Sequence, residues 1–98
     1  MTALKFAAKS GPAPLIQALI DRGAEVDGPA GTDQTALMLA ARANNIDALE
    51  VLIRHGADPS LQCGLKWAGG RTAEGLAQME GRRAAYAFLC RVRLNGSV

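Results

Sequence analysis

What most limits the folds open to this chain is a period. Thr2-Ala3-Leu4 returns as Thr35-Ala36-Leu37, Leu19-Ile20 as Leu52-Ile53 and Gly23-Ala24 as Gly56-Ala57, each 33 residues on. A third copy begins at Thr72-Ala73 and has Leu76-Ala77 where the second has Leu39-Ala40, 37 residues on, so four residues are inserted between copies two and three. Self-similarity on this scale marks small units that bury their apolar sides only by stacking.

Within a copy the pattern is helical and broken twice. Leu37, Ala40 and Ala41 share one face of a short helix, and Ile46, Leu49, Leu52 and Ile53 share one face of a second. Asn44-Asn45 breaks between them. Thr35 is placed to cap the first helix, Asp47 adds negative charge to the first turn of the second, and Gly56 ends it. Gly11-Pro12, Gly23 and Gly81 mark the corresponding breaks elsewhere. Helices this short are not stable alone. The expected architecture is therefore all-α, three stacked helix-turn-helix units with Leu19, Leu37, Leu39, Leu49, Leu52, Leu76 and Leu89 in one core.

The stretches Thr35-Ala36-Leu37-Met38-Leu39-Ala40-Ala41 and Leu49-Glu50-Val51-Leu52-Ile53-Arg54-His55-Gly56-Ala57-Asp58-Pro59 resemble the ankyrin repeat family, with its TPLHxA signature, helix pair and Gly-Ala-Asp exit. Ala7-Ala8, Gly11 and Asp21 to Asp27 carry the resemblance in copy one, and Gly70-Arg71-Thr72-Ala73 with Gly81 in copy three. It implies an ankyrin-repeat solenoid of three repeats, about 2–29, 30–66 and 67–93, in a single domain 1–98 with a polar tail at 94–98. The third copy is expected to end in a long helix from about Arg82 to Arg93 that presents one side to water. Alanine replaces the family's proline at Ala3, Ala36 and Ala73, and Lys5, Met38 and Gly75 stand at its histidine position. The usual Thr–His bonding is thereby removed, and looser tips are expected.

Composition narrows function more than fold. The net charge of +2 is too small for a committed nucleic-acid binder, and aromatics are scarce among the basic residues. Cys63 and Cys90 are far apart without CxxC spacing, so neither a metal site nor a disulfide is expected and the thiols are read as reduced. No leader pattern and no apolar run of membrane-spanning length is present, which leads us to expect a cytoplasmic protein without a membrane role.

Catalysis finds little support, and no catalytic residue, cofactor or metal is assigned. His55, the sole histidine, is placed as a cation at a helix C-terminus rather than as a base. Asp47 and Glu50 fall on a solvated face, and Gly69-Gly70-Arg71-Thr72 lacks the spacing and lysine of a phosphate loop. Cys63, read as lying in an exposed loop near Lys66 and Arg71, lacks the base that a nucleophile needs.

The family resemblance implies that a concave face, made by the turn tips and first helices, holds a protein partner. Mapped onto this chain it gathers Lys5, Lys9, Gln34, Met38, Arg42, Arg71 and Met79, while Asp21, Glu25, Asp47 and Glu50 fall on the second helices or their exits. The inserted segment Leu61–Gly70 adds Lys66 and the only tryptophan, Trp67. Trp67 is either a binding anchor or a cover for the thin core of copy three. The expected function is thus a non-catalytic module binding an acidic protein surface, in an inhibitor or immunity-type role among others. The alternative is an architectural fragment of a longer array, or a self-associating cap without a ligand face. The oligomeric state is left open.

Overall fold

The computed structural model of the chain describes residues 3–27 and 34–95. Among these residues six α-helices form three pairs: α1 (Ala3–Ser10) with α2 (Ala13–Asp21), α3 (Ala36–Arg42) with α4 (Ile46–Arg54), and α5 (Ala73–Met79) with α6 (Arg83–Asn95). One 3-10 turn, Lys66–Ala68, lies in the inserted segment, and no strand forms among the described residues. The boundary expected between copies one and two, at residues 29 and 30, lies outside the described residues. At the other end α6 runs on through Leu94 and Asn95, so the expected tail starts later than residue 94.

Local chemistry explains where the helices begin and end. The Thr35 hydroxyl accepts from the Met38 amide at 3.2 Å, and the Thr35 amide donates to the Met38 sulfur at 3.4 Å. A methionine at the family's histidine position therefore still answers the threonine, and the start of copy two is tied rather than loose. Thr72 makes no such side-chain cap, and Thr2 lies outside the described residues. Asn45 Oδ1 accepts from the Ala48 amide at 3.4 Å to open α4, and Gly56 follows its end at φ +90°, a backbone that suits glycine.

The equivalent breaks differ in cause. Asn44 adopts φ 58°, which asparagine tolerates. Gly11, its counterpart, is not left-handed; Pro12 follows and biases it toward extended backbone. Glycine is needed there for space, since a Cβ would lie 2.8 Å from the Ala7 carbonyl oxygen.

First helices stack on first helices, α1 on α3 and α3 on α5, with α2, α4 and α6 behind. Alanines such as Ala8, Ala40, Ala41, Ala48, Ala77 and Ala85 are fully buried and let these short helices approach closely. Leu37, Leu49, Leu52, Leu76 and Leu89 join Ile16 in one core cluster. Leu39 is also buried in the core, beneath an inner cleft, while Leu19 is only half-buried and packs against the edge of the cluster.

The stack is also stitched by polar groups at the helix breaks. Asn45 Nδ2 donates to the carbonyls of Ala8 and Gly11, both at 3.0 Å. One repeat on, Arg82 Nε donates to the Arg42 carbonyl at 2.8 Å and Asn44 Oδ1 accepts from the Ala85 amide at 3.1 Å. The Ala8 and Arg42 carbonyls and the Ala85 amide are groups that the last or first turn of a helix leaves without an intrahelical partner.

Candidate functional site

Repeat equivalence brings the expected site residues into rows. Lys9, Arg42 and Met79 are equivalent positions at the C-terminal ends of α1, α3 and α5, while Gln34 and Arg71 are equivalent at the tips. Lys5, Met38 and Gly75 form a third row, one turn earlier on the same helices. On a stack held by α1–α3 and α3–α5 packing, residues in a row become neighbours across repeats.

Arg42 is the hub of the inner face. Its guanidinium lies 4.7 Å from the centre of the Trp67 ring, its Nη1 donates to Gln34 Oε1 at 3.0 Å, and its Nε pairs with Glu80 Oε2 at 3.1 Å. Three groups from three segments are thereby held around one cation, with side chains only partly screened from water. Lys9, Leu39 and Arg82 border the adjoining cleft with Arg42 and Glu80.

Trp67 is 50% exposed. Its neighbour Ala68 enters the core instead, so the ring does not cover copy three but turns onto Arg42. Such a contact at a part-exposed site is worth about 0.5 to 1 kcal/mol. Lys66 shares the 3-10 turn and is exposed.

Several expectations need correction. Met38 is 1% exposed and its sulfur is engaged by Thr35, so it is unavailable to a partner. In copy three, glycine stands at that position and the aliphatic stem of Arg71 fills the space: a Cβ on Gly75 would lie 3.1 Å from Arg71 Cβ. The Arg71 guanidinium donates to the Ala68 carbonyl at 2.9 Å, which places this residue as a clasp of the inserted turn as well as a surface cation. Cys63, expected in an exposed loop, is buried because its amide donates to the Arg71 carbonyl at 2.8 Å and draws it under the turn. Lys5 is half-buried, and Met79 is exposed at the end of α5.

Glu80 and Arg82 belong to this face and were missed. The available signal was position: Glu80 follows Met79 at the same helix end, and Arg82 occupies the place of Asn45 in copy two. Glu80 offsets part of the charge of Arg42, so the inner face is less basic than its lysines and arginines imply.

The other chemistry-bearing residues are accounted for by structure. His55 caps α4 and its Nε2 lies 2.8 Å from Gln17 Oε1, bridging two repeats. Glu50 pairs with Arg54, and Asp47 is exposed in the first turn of α4. Both cysteines are free, and no group of acidic, histidine and cysteine side chains suited to a metal ion occurs among the described residues. No helix among them is long and apolar enough to cross a membrane.

The family model for ankyrin repeats (3 copies) matches residues 1–63. The chain is also similar to the ankyrin repeat and KH domain-containing protein mask-1 of Caenorhabditis elegans, at 44% identity over 62 residues. That match covers 62% of this chain and 2% of the relative, so the chain spans a small fraction of that protein's length. Ankyrin repeats are in general protein-interaction modules without catalysis. With the helix pairs, the threonine cap of α3 and the Gly-Ala-Asp exit of copy two in place, the chain belongs to the ankyrin repeat family.

Proposed function

We propose that the chain is a non-catalytic protein-binding module whose partner docks on the inner face and inserted turn, with Trp67 as anchor and Arg42 as the residue that holds it. One observation carries this reading: a large ring stands half-exposed yet is fixed in place by a cation from the neighbouring repeat. Tryptophan is among the residues most enriched at binding hot spots, and a side chain ordered before binding loses little entropy on docking.

The partner surface is acidic. Lys9 and Arg82 are exposed beside the cleft that Arg42 and Glu80 line, and Lys66 is exposed on the same turn as Trp67. A protein suits them better than a nucleic acid, because Arg42, Arg54 and Arg93 spend charge on Glu80, Glu50 and Glu74 within the molecule. Two free thiols are compatible with a cytoplasmic setting. An inhibitor or immunity-type role is the form this docking takes where the partner is an enzyme.

The test is capture by the immobilised intact chain, with Trp67→Ala and Arg42→Glu compared against Glu50→Lys on the opposite side. A specific partner should be lost with the first two and retained by the third, and its on-rate should fall as salt rises. Binding that survives both front-face changes but not Glu50→Lys would move the site to the outer face.

A further inference from the structure

Three sets of equivalent positions describe the side of each helix pair that faces the pair before it. Phe6, Leu39 and Leu76 are 67%, 7% and 0% exposed. Leu15 is 46% exposed where Ala48 and Ala85 are buried, and Ala18 is exposed where Val51 and Phe88 are buried. In copies two and three this side is the packing surface between repeats. On copy one, among the described residues, nothing packs against it.

We propose that this open end, formed by α1 and α2, is a self-association face on which a second copy of the chain docks head to head. The surface is continuous in kind with the established inter-repeat interface, apolar at every position where copies two and three are apolar and covered.

Two features select a second copy in this orientation. The far end of the stack is chemically different: Leu4 and Leu37 are buried, but the equivalent position in copy three is Glu74, whose carboxylate accepts from Arg93 Nε at 2.9 Å. Docking Phe6 there would strip water from an ion pair, a cost that attraction between the charges seldom repays. Head-to-tail growth is thus disfavoured. Face-to-face docking by a twofold instead sets Phe6 and Leu15 against the same apolar residues of the other copy, and closes the assembly at two.

Leu15 supplies the second reason. Copies two and three keep alanine at its position, where another helix pair must approach closely. A helix pair stacked in the inter-repeat register would meet leucine where copies two and three offer alanine.

Sedimentation of the intact chain from micromolar to near-millimolar concentration reads the proposal. The expected mass rises from the monomer's 10.2 kDa to twice that value and stops. Phe6→Glu should remain monomeric with an unchanged helical circular dichroism spectrum, and Leu15→Glu gives a second reading of the same face. Leu94→Glu, an exposed apolar residue on α6, should still dimerise, as should Trp67→Ala, which separates this face from the partner site. A monomer at every concentration, a mass that grows past two copies, a dimer that survives folded Phe6→Glu and Leu15→Glu, or one lost in Leu94→Glu would each overturn it.

Discussion

The pairs α3–α4 and α5–α6 share one frame but live under different constraints. Every residue of α3 from Ala36 to Ala41 is buried, whereas α5 buries only Ala73, Leu76 and Ala77. The middle pair is covered on both sides, so its first helix carries small and apolar side chains at every position before its last, Arg42. The last pair is covered on one side, and Glu74, Gln78 and Met79 appear where water can reach. Burial in this stack is set less by position within the repeat than by how many neighbours the repeat has.

The sharpest way to break that comparison is to delete volume at equivalent positions. Leu52 is fully buried in the middle pair, and Leu52→Ala should cost about 2 to 5 kcal/mol in urea unfolding, a large part of a small domain's stability. Leu19→Ala, at the half-buried equivalent in the first pair, should cost clearly less. Equal losses would mean that neighbour count does not decide the outcome.

Next in size is the polar stitching. Asn45→Ala leaves the Ala8 and Gly11 carbonyls without their donor and removes the α4 cap, an expected loss of about 1 to 3 kcal/mol. Hydrogen exchange should show the effect in α1 and α2 as well as in α4. Protection lost in α4 alone would show that the asparagine serves only as a cap.

The two capping threonines give the most direct contrast between the pairs. Thr35→Ala should lower stability by about 0.5 to 2 kcal/mol, while Thr72→Ala should be close to neutral because its hydroxyl makes no cap bond. Arg42→Ala comes below this, at about 1 kcal/mol or less from part-exposed contacts, yet it should shift the emission of Trp67, the sole tryptophan, as the ring loses its cation.

Smallest is an acid effect at the exit of copy two. The Ser60 hydroxyl and amide both donate to Asp58 Oδ1 and hold its carboxyl below the ordinary aspartate value. A folded-state value below the unfolded one favours folding above the unfolded value, and the contribution disappears as pH falls through the folded one. The carboxyl is exposed, so the effect on stability is slight and is best read by NMR: the Asp58 midpoint should rise toward the ordinary value in Ser60→Ala.

Much of the fold was legible because its signals are local. A threonine cap, a 3.6-residue apolar face and a break at Asn44-Asn45 act within a few residues, and repetition lets one copy check another. The candidate site was legible only in part. Arg42 and Gln34 could be assigned to one face from the family resemblance, while Trp67 was left between anchor and core cover; their meeting at Arg42, and the carboxylate of Glu80 beside them, depend on packing between repeats.

The sequence by itself determined the helix pairs, their breaks and the way they stack, because the period and the short-range chemistry of caps and apolar faces are written in neighbouring residues. Only the tertiary structure decided that Met38 is buried while Lys5, in the same row, is half-exposed, that Trp67 rests on Arg42 rather than in the core, and that Phe6 is left bare. The physical reason is that exposure is a property of neighbours: the same position loses its water only when another repeat, and the particular side chains on it, arrive to exclude it.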